Sequence, residues 1–511
     1  MRAALLAFLF AATALAQPSS PLRIGTISIE PLNVYNASEQ MRGSFYRLAS
    51  RLHIETRRAV IQKFLLFHEG DVYDPAKLEE TERNLRSLAF LKSASVTASP
   101  AHNGVVDILV VTQDAWSIAP QTQAGSGGGT TTYGVDLSED NLLGYGKNLE
   151  VGWSKQVDRT ALRFQYNDPA LFAPYLRAHF DYAINSDGYN RQWSLRRPFF
   201  AFDTPWASDA GFTTMRQHDH MYRGGVEVSR FNQNHREIAA SYGMALSPND
   251  QFADRITAGF RFIDDDFAPI AGWNGIQSSR EFRYLYARYD HAENDYLKLN
   301  FVNKDLRFED FNLGRNYSIE AAVSPRPATT EFVRVRAEDG MRLGDMSFFM
   351  PSVSLRTRLD SGIQNAIASA NLLYVNRSGE EYPRTFVAHA SVVGGWRLDP
   401  EVQFFADGLD GLRGYRTHTF AGSRAIVLNF EERFYFGREI LQLVSPAIVA
   451  FFDAGNTDDL LALKKDLGVG IRVGLPRTPK NLLRIDFAYA LNRDPLGRRG
   501  WLVSFSSGQA F

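Results

Sequence analysis

The sequence predicts a transmembrane antiparallel β-barrel preceded by one small α+β domain. After residue 117, segments in which every second residue is apolar recur along the chain. After residue 16, no apolar run approaches the roughly 20 residues that a transmembrane helix needs. Strands with one apolar face and one polar face suit a wall between lipid and a wet interior. A soluble sandwich has the same period, so the assignment also needs the features described below.

The first 16 residues have the features of a cleavable export signal. A single charge, Arg2, precedes a short apolar run, and Ala14 and Ala16 are the small residues that a signal peptidase reads. The run is too short to cross a bilayer. We therefore expect removal of residues 1–16 and a mature chain that begins near Gln17, with a buried N-terminal helix as the alternative.

The composition excludes several classes of function. The formal net charge is -1 and the pI is about 6.8, so nothing indicates nucleic-acid binding. The chain has no cysteine, which excludes disulfides, thiolate metal sites and cysteine nucleophiles.

The few motifs that suggest chemistry are weak. We expect His218–His220 to be an exposed turn, because no third metal ligand has a known position. Gly125–Gly129 is interpreted as a flexible connector, because no phosphate-loop lysine follows it. No G-x-S-x-G elbow is present. The sequence therefore predicts no catalysis, no cofactor and no metal.

Residues 22–116 change from strand to helix, helix, strand and strand. Asp74 can accept a hydrogen bond from a free backbone N–H, and Pro75 costs nothing at the first position of a helix. The predicted elements are a strand at Arg23–Glu30, a helix at Glu55–Phe67, a helix from Pro75, and strands at Ser95–Ala98 and Val105–Thr112.

This order, with FHEGDVYDPAKLEETERNLRSLAFLKSASV at its centre, resembles a POTRA domain. POTRA domains are the periplasmic modules of the BamA and TamA outer-membrane assembly superfamily. The resemblance covers nearly all of residues 22–116 and implies a single POTRA domain, although Pro31–His53 is longer than such a domain needs. In that family the domain offers a strand edge to extended clients. A purely stabilising element or a lid is the alternative.

Residues 117–511 are predicted to form the barrel. Leu483, Ile485 and Phe487 lie on one face of a predicted strand, with Arg484 and Asp486 on the other. Polar stretches such as residues 185–190 separate the strands, as the loops of a barrel do.

The C-terminal sequence resembles the aromatic last strand that outer-membrane barrels present for assembly. Trp501, Val503 and Phe505 alternate on one face, and the chain ends at Phe511.

The barrel region also resembles the BamA/TamA-type barrel in its opening motifs. These motifs are GVDLSEDNLLGYGKNLEVGWS (Gly134–Ser154), YNDPALF (Tyr166–Phe172) and RRPFF (Arg196–Phe200), with a fainter echo in FEDFNLGRN (Phe308–Asn316). The resemblance implies about sixteen strands, whereas spacing alone would also allow roughly fourteen or eighteen.

The most specific motif is Leu412-Arg413-Gly414-Tyr415, which resembles the (V/I)RG(Y/F) loop motif of the superfamily with leucine in the first position. In that family the loop folds into the lumen, and its arginine meets an acidic residue on the barrel wall. A guanidinium offers a rigid fork of donors to a carboxylate, and glycine allows a close approach. A loop arginine that meets only solvent is the alternative.

The luminal acids that match this motif are Asp453, in AFFDAGN, and Glu431, in NFEER. If Glu431 faces the lumen, Asn429 and Arg433 do too, and Glu432 faces outward. An outward carboxylate is costly at mid-membrane, so Glu432 must lie near an interface or the register must shift.

The resemblance implies a bacterial outer-membrane protein that inserts or assembles other proteins. Its expected partners are the lipid bilayer, unfolded or nascent outer-membrane or secreted proteins, and periplasmic accessory proteins. The expected seam joins the region of Asn148–Val151 to Trp501–Phe505. Export through the lumen, as in two-partner secretion, is the first alternative, although no plug helix precedes the first strand. A structural or small-solute barrel is the second.

Overall fold

The computed structural model describes residues 21–511 except 128–129, 248, 274–277, 326–328, 442, 476 and 479–481. The expected export signal, with Ala14 and Ala16, lies outside the described residues. In the described part, no helix is long and apolar enough to cross a membrane.

Residues 22–116 form an α+β unit, here called the N-terminal unit. Its elements are β1 (Arg23–Leu32), α1 (Ala37–Gln40), α2 (Ser44–Leu52), α3 (Arg58–Gln62), α4 (Pro75–Arg86), β2 (Leu91–Ala98) and β3 (Val105–Asp114). The sheet order is β1-β3-β2, with β1 parallel and β2 antiparallel to β3. The side chain of Asp74 accepts from the N–H of Ala76 (2.9 Å), so the predicted cap begins α4.

Two features of this unit differ from the expectation. The predicted helix at Glu55–Phe67 is only α3, because the following N–H groups of Lys63 and Phe64 bond three residues back and tighten the chain into turns. The long Pro31–His53 segment contains α1 and α2. The core of the unit includes Phe64 and Leu85, which are buried against the sheet.

The remaining elements follow in chain order. They are β4 (Ile118–Gly127), β5 (Thr130–Glu139), a short 3-10 helix (Leu142–Gly144), β6 (Asn148–Lys155), β7 (Thr160–Asp168), β8 (Arg177–Asn185), β9 (Gly188–Arg197), β10 (Trp206–Arg223), β11 (Val226–Ala245), β12 (Phe252–Pro269), β13 (Arg280–Glu293), β14 (Tyr296–Leu299), β15 (Glu309–Asn312), β16 (Asn316–Ser324), β17 (Thr330–Glu338), β18 (Met341–Gly344), β19 (Ser347–Leu359), β20 (Ile363–Ser378), β21 (Arg384–Trp396), β22 (Phe404–Phe405), β23 (Ala421–Gly422), β24 (Arg424–Tyr435), β25 (Ser445–Thr457), β26 (Lys464–Gly474), β27 (Leu482–Ala490) and β28 (Trp501–Ser507).

These strands form a closed antiparallel barrel in which β28 pairs with β4. In the described part of the chain the barrel contains 21 strand segments, and β17 and β18 both pair with β19. Those two segments occupy one position, so the ring formed by the described residues has 20 strands. The antiparallel barrel was predicted correctly, and the count of sixteen is wrong.

Short turns account for the extra strands. The stretch 185–190 was interpreted as a connection, but only Ser186 and Asp187 separate β8 from β9. Between β10 and β11 the turn is Gly224-Gly225, with φ of 58° and 81°. Two successive positive φ angles are the requirement of a tight type I′ hairpin, which glycine meets without strain. Short turns leave more of the chain for strands than the family-based count assumed.

The first strand of the ring also differs from the expectation. The opening motif begins at Gly134, yet β4 precedes it and pairs with β5. Gly125–Gly127 are part of β4, so the interpretation of this stretch as a connector is wrong, while 128–129 lie outside the described residues. The sequence of β4, IAPQTQAGSG, lacks a clear apolar alternation. The strand at Asn148 is therefore the third of the ring and is not at the seam.

The N-terminal unit contacts one end of the barrel, here called the near end. Arg86 of α4 donates from Nε and Nη2 to the two oxygens of Asp310 (3.0 and 2.6 Å). The hydroxyl of Tyr175 donates to the carbonyl of Phe64 (2.7 Å). Glu80 accepts from the N–H of Phe202 (2.9 Å), and burial raises the pKa of this carboxyl.

Replacing Arg86 by alanine should loosen this docking. The charged hydrogen bonds to Asp310 are largely shielded from solvent, so their loss should cost roughly 1.5–3 kcal/mol. Hydrogen–deuterium exchange should become faster in α4 and unchanged in β24–β27. The matched control is Arg58→Ala, which removes an exposed arginine of the same unit. Equal exchange in both variants would contradict the assignment.

Candidate functional site: a charged cluster in the lumen

Four neighbouring strands, β24 to β27, place their alternate residues in the lumen. In β24 every second residue from Ala425 to Tyr435 is buried, as the two-residue period of a strand requires. The buried charged residues of these strands are Glu431, Arg433, Asp453, Asp466, Arg472 and Asp486. Outward positions such as Val469 and Ile471 are apolar and exposed. The wall is therefore apolar outside and charged inside.

A long loop of residues 397–423, between β21 and β24, reaches into the lumen from the far end of the barrel. The side chain of Asp407 accepts from the N–H groups of Leu409 (3.0 Å) and His418 (2.5 Å) and so fixes the bend of the loop. At the tip, Leu412 is fully buried in a small apolar cluster that includes Ala406 and Val427 on β24.

The loop tip approaches the wall too closely for a side chain at Gly414. A Cβ atom there would lie 2.5 Å from the Cβ of Asp466. The hydroxyl of Tyr415 donates to the carbonyl of Lys465 (2.9 Å). The side-chain amide of Asn429 donates to the carbonyl of Gly411 (2.7 Å). All four residues of the predicted motif therefore lie against the barrel wall.

Arg413 binds both acids that the sequence singled out. Its Nε and Nη2 donate to the two oxygens of Asp453, both at 2.8 Å. Its Nη1 donates to Oε1 of Glu431 (2.5 Å) and lies 3.5 Å from Asp486. The guanidinium carbon is 3.5 Å from the ring centroid of Phe451, a cation–π distance.

The charge continues beyond Arg413. Glu431 also accepts a hydrogen bond from Nε of Arg433 (2.7 Å). Nη2 of Arg472 lies 3.5 Å from Oε1 of Glu431. Arg472 in turn donates to Asp486 (2.6 Å). These side chains are at most 4 % exposed, and three guanidinium groups face three carboxylates. Charges buried this deeply are tolerated only when paired and hydrogen-bonded.

The inward charges Arg472 and Asp466 were not singled out from the sequence. In LGVGIRVG, the residues Gly468, Gly470 and Arg472 alternate with Leu467, Val469 and Ile471. The strand period applied to that segment would have placed Arg472 in the lumen.

Glu432 faces outward, as the parity of β24 requires. It pairs with Arg384, which donates from Nε (3.1 Å). Arg384 is the first residue of β21, so this pair lies at the near end of the strands. The position agrees with the expectation of an interface location.

The predicted C-terminal signal divides into two parts. Trp501 and Phe505 are exposed on the outward face of β28, which also includes Val503. Phe511 lies beyond the strand, because Gly508 has φ of 79° and turns the chain. Its ring stacks on His389, with centroids 5.5 Å apart, at an inward position. Phe511 is therefore not part of the outward aromatic face.

A second segment, residues 294–315 between β13 and β16, enters from the near end and is here called the inner segment. It contains the β14–β15 hairpin. The carbonyl of Val302 accepts from Nη1 of Arg433 (2.7 Å), and the carbonyl of Phe301 accepts from Thr385 (2.7 Å). The charged cluster thus lies between the long loop and the inner segment.

The cluster consists of arginines paired with carboxylates. Among the described residues, no group of three metal-ligating side chains is found. His218–His220 are part of β10, not of an exposed turn, and His220 lies 2.8 Å from Glu227. What the arrangement can do is hold the long loop against the wall.

No family model matches the sequence, and no curated protein matches it. Among solved structures, the chain is similar to CdiB from Acinetobacter baumannii, with a TM-score of 0.48, 13% identity, and 96% of this chain and 74% of that chain covered. CdiB from Escherichia coli gives a TM-score of 0.47 and 12% identity, over 95% and 76% of the two chains. BamA from Haemophilus ducreyi lacking POTRA domains 1–3 gives a TM-score of 0.39 and 10% identity, with 94% of this chain and 85% of that chain covered.

Proposed function

We propose that this protein inserts or assembles other proteins in the bacterial outer membrane, in the manner implied by its resemblance to BamA and TamA. The N-terminal unit serves as a POTRA domain in the periplasm and receives unfolded or nascent clients, alone or with accessory proteins. The barrel then opens between β4 and β28 and templates the first client strand. No catalytic step, cofactor or metal is involved.

The observation that supports this proposal most is the seam between the first and last strands. β28 has seven residues, whereas β10 and β11 have 18 and 20. β4 contains Pro120, which has no N–H to donate, and Gly125 and Gly127, which weaken a strand. The seam should therefore open at lower cost than a long strand pair. An opened edge in lipid must find new backbone partners, and a client strand supplies them.

The N-terminal unit offers a complementary edge. In the described residues, β2 pairs only with β3 and lies at the edge of the three-stranded sheet. Edge strands present backbone groups to which an extended chain can bind.

Export of a client through the lumen is less well supported. A polypeptide on that route would have to displace both the long loop and the inner segment. Displacing the loop would separate Arg413 from Asp453 and Glu431, which are buried partners. Opening of the seam leaves those ion pairs intact.

The test is a reversible covalent lock across the seam. The chain has no native cysteine, so single cysteines can be placed at successive positions of β4 and combined with Ser504→Cys on β28. The matched control is Ala488→Cys with Leu502→Cys, which are opposed on β27 and β28 and need not separate. Each variant replaces the wild-type gene, and the outer-membrane proteome is quantified before and after reduction.

We expect the oxidised seam lock to lower the amounts of particular outer-membrane barrels and reduction to restore them, with no effect of the control lock. Normal amounts in the locked strain would contradict insertion through the seam. In a deletion strain, loss of one secreted protein alone would support export, and no change would support a structural or small-solute barrel.

A further inference from the structure

Helix α2 presents an apolar face that no described residue covers. Tyr46, Ala49 and Ser50 pack inward, towards Val34, Tyr35 and Trp116. A second face, about a quarter turn away, consists of Phe45, Leu48 and Leu52, continued by Met41 before the helix. These four side chains are 56, 55, 66 and 78 % exposed, respectively. We call these four residues the apolar face of α2.

A third side of the same helix is cationic. Arg47 and Arg51 are exposed and lie one turn apart, beside the apolar face, and Arg42 precedes the helix. In the described part of the chain, none of the three forms an ion pair with an acid. An apolar face bordered by unpaired arginines is typical of helices that lie in a membrane interface.

The position of α2 places this face beside the barrel rim. The hydroxyl of Tyr46 donates to the carbonyl of Leu441 (2.8 Å), in the turn between β24 and β25. That turn exposes Leu441, Ile440 and Phe436, which are 73, 46 and 46 % exposed. These residues continue the outward apolar surface of β24 and β25, where Phe434 and Ile448 are exposed.

A strong anchor fixes the segment in this position. Arg477, in the turn after β26, donates to the carbonyl of Val34 (2.5 Å) and to Glu39 (2.5 Å). Its guanidinium also lies 4.6 Å from the ring centroid of Tyr35. The helix is therefore held at the rim by two turns of the barrel.

We propose that α2 is a membrane-surface helix that inserts Phe45, Leu48, Leu52 and Met41 into the periplasmic leaflet, with its arginines at anionic phospholipid headgroups. The partner is the lipid surface next to the rim. The two supporting observations are the continuity of the apolar surface from the barrel to α2 and the excess of unpaired positive charge beside it. This inference rests on the proposed location of the barrel in the outer membrane.

The contact gives the Pro31–His53 segment a role. The helix would fix the orientation of the N-terminal unit relative to the bilayer, so that the edge strand β2 stays at a constant distance from the membrane. Binding should increase with buried apolar area and with the anionic lipid content of the leaflet.

The test uses the mature full-length protein in nanodiscs of phosphatidylethanolamine and phosphatidylglycerol. Three single-cysteine variants are labelled with an environment-sensitive fluorophore. Leu48→Cys reports on α2, Val469→Cys on the outward barrel wall, and Ala101→Cys on the exposed turn between β2 and β3. Nitroxide-labelled phospholipids are then added as quenchers.

We expect lipid quenching at positions 469 and 48 and none at position 101. Quenching at position 48 should weaken in discs of phosphatidylcholine alone, and also when Arg47→Gln and Arg51→Gln are combined with the probe. Quenching at 469 without quenching at 48 would overturn this inference and leave the proposed function standing. A blue shift at 48 without lipid quenching would overturn it too, since protein would then cover the face. Absence of quenching at both 48 and 469 would overturn the membrane location itself.

Discussion

Arg413→Ala is expected to destabilise the packed state of the long loop by roughly 3–5 kcal/mol, because removal of one member of a buried ion pair leaves the others uncompensated. The variant removes both hydrogen bonds that Arg413 donates to Asp453, and it removes the hydrogen bond to Glu431. Thermal unfolding of the purified barrel, followed by circular dichroism, should begin at a lower temperature. Added protease should cleave the loop in intact cells.

The matched control for this variant is Arg416→Ala, which removes an exposed arginine three residues along the same loop. It should behave as wild type. A charge reversal, Asp453→Arg, should reproduce the effect of Arg413→Ala. The double variant Arg413→Ala with Asp453→Ala should cost less than the sum of the two single changes, because both remove the same interaction. Wild-type stability of Arg413→Ala would show that the ion pairs do not hold the loop.

Glu431→Gln should have the other large effect. The carboxylate of Glu431 lies within 3.5 Å of three arginines, Arg413, Arg433 and Arg472. The amide keeps the shape but removes the charge, so three buried guanidinium groups lose the carboxylate that all of them approach. We expect a loss of several kcal/mol, on the order of 3–5, measured by urea unfolding in lipid vesicles.

The neighbouring residue supplies the control. Glu432→Gln removes the same charge one position along the strand, but from an outward, partly exposed pair with Arg384. Such pairs contribute about 0.2–1 kcal/mol. Equal losses for the two variants would mean that burial in the lumen does not govern the energetics.

The sequence predicted the charged site better than the number of strands. A strand has an exact two-residue period, so one assigned residue determines the faces of its neighbours. For that reason Glu431, Asn429 and Arg433 could be placed together on the lumen side. The expectation that Arg413 reaches these residues came from the resemblance to the superfamily's loop motif. Its contacts with Asp453 and Glu431 depend on long-range packing, which the strand period does not encode.

The number and limits of the strands were less accessible, because they depend on local backbone geometry. Two-residue turns such as Gly224-Gly225 leave little trace of a connection. β4 has glycines and polar residues where a half-buried strand normally has apolar ones. The reversal at Gly508, which takes Phe511 out of the last strand, needs only one positive φ angle.

The N-terminal unit shows the same division. The cap at Asp74 follows a short-range rule, and it locates the start of α4. The placement of α1 and α2 depends instead on Arg477 and Leu441, more than 390 residues away in the chain. Local rules do not reach such contacts.

The shared position of Arg433 has a mechanical consequence. One edge of its guanidinium binds Glu431, the acid that holds the long loop, and another binds the carbonyl of Val302 on the inner segment. That segment also carries Arg307, whose Nη2 donates to the carbonyl of Leu91 (2.5 Å) at the start of β2. If the inner segment withdrew, Nη1 of Arg433 would remain buried without its acceptor, beside Glu431. Such an unsatisfied donor costs about 1–3 kcal/mol. The long loop and the inner segment are thus linked through the side chain of Arg433. A force applied to β2 would therefore act on both of them through Arg307.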